Sequence, residues 1–478
     1  MKVLFAASEC VPFAKTGGLA DVVGTLPQVL AKEGLEVSVI MPLYRDIPQV
    51  YKDRIQHVMY MYVNLGWRRQ YCGIEMMELD GIHYFFIDNE YYFGRDSIYG
   101  HGNDEGERFG FFCRAVLEAL PHIGIPDILH CNDWQTGMIP MLLKTQYQYL
   151  TQYAKIKTVY TIHNLQYQGV FAWSWISEML GVGDEYFDVG QLEYYGCINF
   201  MKGGIRFGDY LTTVSPTYAE EIKSPWMGEH LDGVIRDRGD QVMGILNGID
   251  TKEYDPRTDR FLAHHYDETT LHTKEKIKRS VRDELGLYQT DGPLIAMITR
   301  LAPQKGIDLV EYALDEIMKS GAQLAVLGMG DAHYVDFFKW AQWRYSGMCA
   351  VRCEMNEWLA HQLYAGSDML LMPSQFEPCG LSQMVAMRYG TIPVVRETGG
   401  LKDTVVPYNE YTGEGNGFSF GPFNSHDMLQ SIWLAQRFYH EKPVWERIQK
   451  QAMASDFTWG KSAREYKKLY ESLQQDTF

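Results

Sequence analysis

Nowhere in this 478-residue chain do two cysteines stand at CxxC spacing, although it holds eight of them. Cys10, Cys72, Cys113, Cys131, Cys197, Cys349, Cys353 and Cys379 are scattered from end to end, which argues against a zinc site or a disulfide framework. The nearest approach is C-A-V-R-C at Cys349 and Cys353, with no matching second pair. Buried, reduced thiols are the expected state. Positive charge is also short. Lys and Arg number 44 against 61 Asp and Glu, a net charge of −17. That balance excludes non-specific nucleic-acid binding and a polybasic membrane anchor, both of which need many cations. No run approaches the roughly 20 apolar residues of a membrane span. The N-terminal M-K-V-L-F-A-A-S-E meets Glu9 before it can make a signal-peptide core. A cytoplasmic protein is expected, with neither nucleic acid nor membrane as partner.

What is present is an alternation of short apolar runs with longer amphipathic ones, the signature of parallel βαβ units. In the first half, strands are expected at 3–7, 37–41, 83–87, 128–130, 158–162 and 210–214. A helix is expected over 19–33, ending at Gly34. Near residue 250 the texture changes: N-G-I-D at Asn247 to Asp250 signals a turn, and 254–282 reads as a polar, charged connection. Strand-like runs then resume at 294–298, 323–327, 350–353, 369–372 and 392–395. Two successive βα series imply an α/β protein with two doubly wound, Rossmann-like domains facing each other across a cleft. The expected domains are 1–245 and 246–455, with 456–478 as a closing segment. Ligands in such sheets sit beyond the carboxyl ends of the strands, so the informative residues are those just after each strand.

Four places there carry candidate chemistry. K-T-G-G-L-A-D, Lys15 to Asp21, follows the first strand; adjacent glycines let backbone N–H groups approach an anion at a helix start, and Lys15 adds a point charge. Its order is not that of a Walker A loop. Arg300 and Lys305, in R-L-A-P-Q-K-G, can converge on a diphosphate as fork and point charge. Glu377, in F-E-P-C-G-L-S-Q, precedes a helix expected near Cys379 to Ser382, so a carboxylate and free amides meet in one place. T-G-G-L at Thr398 repeats the glycine device. On the opposite half, Asp133 in H-C-N-D-W and His163 in T-I-H-N-L end strands. With His130 they form only a loose ligand spacing, and no metal is expected there. G-M-G-D, Gly328 to Asp331, lacks the third glycine of a dinucleotide fingerprint. Taken singly, each of these is also compatible with an ordinary turn or a solvated side chain.

In combination and order, K-T-G-G-L-A-D, H-C-N-D-W, T-I-H-N-L-x-Y-Q-G, T-V-S-P-T-Y-A, N-G-I-D, R-L-A-P-Q-K-G, F-E-P-C-G-L-S-Q and R-Y-G-T-I-P-V-V-R-E-T-G-G-L resemble the bacterial glycogen synthase and plant starch synthase family, over 2 to about 460. The resemblance implies a GT-B type fold and a retaining glucosyltransferase. It would move glucose from ADP-glucose to the non-reducing end of an α-1,4-glucan, without metal or cofactor, and its last helix, here 457–473, would cross back onto the first domain. It further implies that Lys15, Gly17 and Gly18 form the donor loop, that Arg300 and Lys305 stabilise departing ADP, and that Glu377 holds the donor glucose. Cys379, Gly380, Leu381 and Ser382 would offer amides, and Asp133 and His163 would lie beneath the sugar. Asp21, Asn247, Gly330 and Met355 complete the expected substrate-binding set.

Three departures bear on the expectation. Val385 stands where related transferases outside the family often carry a second Glu, which fits glycogen synthase. Met355, in E-M-N-E, replaces the tyrosine that stacks on adenine, which keeps UDP-glucose open as donor. Gln375 stands where Arg is common. A glucan-binding protein without activity and a pyridoxal-phosphate phosphorylase are the competing readings. Front-face attack, with the leaving phosphate taking the acceptor proton, is expected over double displacement.

Overall fold

The computed structural model describes residues 1–475; the end of the expected closing segment, 476–478, lies outside the described residues. The chain divides into two compact units, Met1–Asn247 joined by the stretch from Trp459 onward, and Gly248–Thr458.

In the first unit the strands are β1 (Lys2–Ala6), β2 (Glu36–Pro42), β3 (Gln56–Leu65), β4 (Arg68–Leu79), β5 (Ile82–Asp88), β6 (Ile128–Asn132) and β7 (Lys157–Ile162). They continue as β8 (Val170–Ala172), β9 (Glu193–Tyr194), β10 (Cys197–Asn199), β11 (Tyr210–Thr213) and β12 (Val242–Gly244). Nine of them form one sheet in the order β12-β11-β7-β6-β1-β2-β5-β4-β3. It is parallel except at β3 and β4, which run antiparallel as a hairpin at one edge. The order reverses between β1 and β6, so the crevice at their carboxyl ends is the topological switch point. β1 and β6 are buried almost throughout; β1 reads as an apolar run, whereas β6 buries His130 and Asn132 among its apolar residues. The β3–β4 hairpin is different: β3 is largely exposed although residues 58–63 read V-M-Y-M-Y-V, and sequence reading misses it.

The last helix, Trp459–Gln475, belongs to this first unit. Its inward face carries Trp459, Ala463, Tyr466 and Tyr470, all buried. The Tyr470 hydroxyl meets His130 Nδ1 at 2.6 Å, and Lys467 Nζ donates to the Glu33 carbonyl at 2.6 Å.

The second unit holds β13 (Leu294–Ile298), β14 (Gln323–Leu327), β15 (Cys349–Arg352), β16 (Met369–Met372), β17 (Ile392–Arg396) and β18 (Phe418–Phe420). All are parallel, in the order β15-β14-β13-β16-β17-β18, the doubly wound order with its switch point between β13 and β16.

The expected polar connection over 254–282 is overrun by a helix, Lys274–Leu285. Its inward positions are Lys274, Ile277, Lys278, Val281, Arg282 and Leu285, so cations occupy half of a buried face. Each is satisfied. Lys274 Nζ donates to the Ala365 and Tyr389 carbonyls at 2.6 and 3.0 Å, and burial lowers it to about 7. Lys278 pairs with Asp368 at 2.7 Å, and Arg282 donates to Gln323 Oε1 at 2.7 Å. Polar composition hid a core helix.

Candidate active site

At the first unit's switch point, β1 leads into Glu9 and β6 into Asp133. Glu9 is 3% exposed, and its carboxylate accepts the Thr16 amide, the Thr16 hydroxyl at 2.7 Å, the Gly17 amide at 3.1 Å and the Tyr99 hydroxyl at 2.7 Å. The glycine loop is therefore shaped from below by a buried acid, and the Thr16 and Gly17 amides already have an anionic partner. Gly17 caps the helix Gly18–Lys32, and a Cβ there would meet nothing within 4 Å. Lys15 pairs with Asp21 at 2.7 Å, both side chains partly exposed. Sequence reading missed Glu9, which belongs to no motif; the available signal was an acid three residues beyond an apolar strand.

Asp133 and His163 are brought together. Asp133 adopts φ +56, uncommon for a residue with a side chain, and its Oδ1 accepts the His163 amide at 2.7 Å. Burial raises its carboxyl to about 7, against the opposing pull of the His163 and Asn164 amides. His163 Nε2 lies 2.9 Å from Asn132 Oδ1, and burial lowers the ring to about 3, so the imidazole is neutral. Asn132 in turn donates to the Ala6 carbonyl at 3.1 Å, linking the ends of β1, β6 and β7. His130 lies apart from this group in function: buried, it is held by Tyr470 and by Thr161 Oγ1 at 2.6 Å.

Because the folded state holds Asp133's proton to a higher pH than the unfolded chain, the protonated form favours folding. That contribution is lost as pH rises toward 7. Asp133→Asn keeps an acceptor for the His163 amide and cannot ionise. Urea unfolding of both proteins between pH 5.5 and 8 should therefore show wild type losing stability relative to the variant as pH rises. Parallel profiles would contradict the shifted carboxyl.

In the second unit, β13 ends beside β16, and the segments after them are joined. Lys305 Nζ donates to both oxygens of Glu377, at 2.9 and 2.7 Å, with side chains 14% and 8% exposed. Ser374 Oγ donates to Glu377 Oε2 at 2.9 Å. Gln375 N donates to the Gln304 carbonyl at 2.8 Å, and Gln304 Nε2 to the Phe376 carbonyl at 3.2 Å. Gly306, at φ +69, passes so close to β16's extension that a Cβ would stand 2.0 Å from the Pro373 carbonyl oxygen.

The T-G-G-L glycines pack closely on the segment that carries Glu377. Gly399 lies at φ +44, where a Cβ would sit 1.9 Å from the Glu377 carbonyl oxygen, and the Gly400 amide donates to that oxygen at 3.2 Å. The loop that follows β17 thus supports the backbone of Glu377. Gly330 likewise bridges Leu301, tying the G-M-G-D loop to the segment after β13.

The remaining expected residues fall as follows. Arg300 is exposed two residues beyond β13. Cys379 is buried, and Gly380, Leu381 and Ser382 lead into the short helix Ser382–Arg388. Ser382 Oγ accepts from the Tyr364 hydroxyl at 3.1 Å, and Gln383 Nε2 donates to the Cys379 and Gly380 carbonyls. Asn247 is buried with its Oδ1 unpartnered among the described residues. Met355, just past the edge strand β15, is 86% exposed.

Residues 2–237 match the family described as starch synthase catalytic domain, and residues 280–452 match glycosyl transferases group 1. A glycogen synthase of Bacillus cereus (strain ATCC 10987 / NRS 248) is 55% identical over 477 residues, 99% of this chain and 100% of that protein. This chain is a starch/glycogen synthase family member. The glycogen synthase of Geobacillus stearothermophilus is 52% identical over 99% of this chain and 98% of its own length. The catalytic domain of starch synthase IV from Arabidopsis thaliana, solved bound to ADP and acarbose, superposes with a TM-score of 0.92 at 33% identity, covering 99% of both chains. Sucrose-phosphate synthase from Thermosynechococcus elongatus, at 17% identity and a TM-score of 0.65, shares the fold. As a starch/glycogen synthase, the chain is a glucan-synthesising glycosyltransferase of two α/β domains, and the reading as an inactive glucan-binding protein falls away.

Proposed function

We propose that the enzyme elongates an α-1,4-glucan with glucose from ADP-glucose, releasing ADP and retaining the anomeric configuration. The observation that carries this reading is the Lys305–Glu377 pair at the switch point of the second unit, a cation and a carboxylate held together where a nucleotide sugar's diphosphate and glucosyl group belong. Binding of ADP by the starch synthase IV relative supports the adenine nucleotide. Arg300 and Lys305 neutralise the diphosphate as it departs, and Glu377 holds the glucosyl hydroxyls. Gly380 to Ser382 supply backbone amides, as does Gly18, while Gly17, its own amide held by Glu9, leaves the donor room to approach beside Lys15. Asp21, Asn247, Gly330 and Met355 complete the donor and acceptor contacts. A cytoplasmic setting, where thiols stay reduced, belongs to the same proposal.

For the chemical step we favour front-face attack. The acceptor 4-hydroxyl oxygen bonds to the anomeric carbon on the face from which the phosphate oxygen leaves, and the departing phosphate takes the hydroxyl proton. Two features support it over double displacement. Asp133 is turned onto backbone amides with its carboxyl raised to about 7, a poor state for a nucleophile. Both Glu377 oxygens are engaged, by Lys305 and Ser374. The His163 carbonyl, aimed by Asp133's hold on its amide, serves the positive charge developing at the anomeric carbon.

The exposure of Met355 favours one second reading, a donor pocket tolerant of UDP-glucose. Nucleotide release with glycogen as acceptor decides between them. The expected result is strong ADP release from ADP-glucose and at most weak UDP release from UDP-glucose. The reverse preference would move the donor, and turnover of neither would overturn the proposal.

A further inference from the structure

Away from the switch point, the helix Glu357–Gly366 follows the edge strand β15 and is capped by Asn356, whose side chain accepts from the Leu359 amide. Glu357 and His361 are four residues apart on it, so their side chains share one face. Glu253, from the turn after Asp250, reaches the same place. One ligand atom from each of Glu253, Glu357 and His361 lies within 4.8 Å of the other two.

The histidine is set up unusually. It is 1% exposed, and its Nδ1 bonds Asp259 Oδ2 at 2.7 Å. Asp259 is itself held by the Tyr389 hydroxyl at 2.6 Å and by the Phe261 amide at 2.9 Å. Tyr254 stacks on the imidazole at 5.1 Å, and Phe261 packs against it at 4.7 Å. The other ring nitrogen, Nε2, is buried and has no hydrogen-bond partner among the described residues. Leaving such an atom unsatisfied costs free energy, so its position calls for a partner. A ring fixed by a carboxylate on one nitrogen and open on the other is the arrangement of a metal-binding histidine, the carboxylate setting tautomer and orientation.

Arg260 shows the field at this place. Its guanidinium lies 3.5 Å from Glu253 and 3.8 Å from Glu357, supplying positive charge between the two carboxylates. Its side chain is 69% exposed and can swing aside.

We propose that Glu253, Glu357 and His361 Nε2 bind a divalent first-row transition cation, with Asp259 as the orienting carboxylate. An imidazole with two carboxylates suits zinc, manganese, iron or cobalt rather than calcium or magnesium, which take oxygen ligands. Bonds of about 2.0–2.2 Å need the ligand atoms closer than their present limit, and half-buried Glu253 and exposed Glu357 have the rotamer freedom to close. The site is structural. It ties the segment that opens the second unit to a helix whose next turn carries Tyr364, the partner of Ser382. The cluster Asp308, Glu311 and His333 makes a contrast: all three are exposed, and His333 Nε2 is already 3.2 Å from Glu311.

Titration of the full chain with Co²⁺, followed by visible absorption, tests the proposal. One equivalent is expected to bind with weak ligand-field bands and no strong thiolate charge-transfer band. Glu253→Gln and Glu357→Gln, both at solvent-accessible positions, should each weaken binding about tenfold or more. Arg260→Ala removes the competing cation and should tighten it, while His333→Ala should leave it unchanged. Absence of binding below millimolar Co²⁺, or wild-type affinity in both glutamine variants, would overturn the site. So would a thiolate band that persists in Glu357→Gln, since it would place the metal on cysteine.

Discussion

Lys305→Ala is expected to lower kcat/KM for glucosyl transfer by about 10³-fold, most of it in kcat. The scale is that of removing one preorganised donor aimed at charge that develops in the transition state. In the free enzyme the ammonium is chelated by Glu377 and screened from water. When the bond to the departing diphosphate breaks, negative charge grows on phosphate oxygen, and an ammonium already desolvated and positioned meets it without reorganising. Ground-state affinity should change far less, because the diphosphate is charged before as well as after the step, and only the increment counts. Steady-state ADP release checks this, with circular dichroism to confirm folding. A loss below tenfold would reduce Lys305 to a counter-ion for Glu377.

Gly399→Ala should lower turnover by about 10²-fold or more. At φ +44 an alanine costs about 1–2 kcal/mol in the left-handed region alone. The larger effect is the Cβ itself, which would stand 1.9 Å from the Glu377 carbonyl oxygen. Both partners are backbone, so the loop bearing Glu377 must move. A shift near 1 Å at a catalytic group can cost about 10²-fold in rate. The melting temperature should fall as well. Gly421→Ala, where a Cβ meets nothing within 4 Å, is the control and should behave as wild type. Wild-type turnover in Gly399→Ala would show that Glu377 does not depend on this contact.

Both variants concern residues whose importance differs in how it could be read. Lys305 and Glu377 were visible as charged residues just beyond apolar strands, and parallel strands buried on both faces announce themselves: 294–298, 323–327 and 369–372 coincide with β13, β14 and β16. Reading failed where burial was not apolar or where strands were not buried. The helix Lys274–Leu285 turns Lys274, Lys278 and Arg282 inward against carbonyls and Asp368, so its inner face looks like a solvated one. The β3–β4 hairpin exposes Tyr60, Tyr62 and Trp67, and the outward tyrosines of β3 blur the alternation of its inward Met59, Met61, Val63 and Leu65. Glu9 was passed over because its role depends on residues distant in sequence, Tyr99 among them. Gly399 stands out as part of a glycine pair, but its contact with the Glu377 carbonyl is one that no local pattern encodes.

The placement of the helix Trp459–Gln475 has a consequence for biogenesis. The first unit is begun by the opening residues and completed by the closing ones, so the second unit is an insertion within it. On the ribosome, His130 and the inner face of the helix Gly18–Lys32 must wait, uncovered, until every residue of Gly248–Thr458 has been made and Tyr470 emerges. The second unit, contiguous in sequence, can close as soon as it is synthesised. Translation order and order of completion are therefore inverted, and the half of the enzyme made first is the half that matures last.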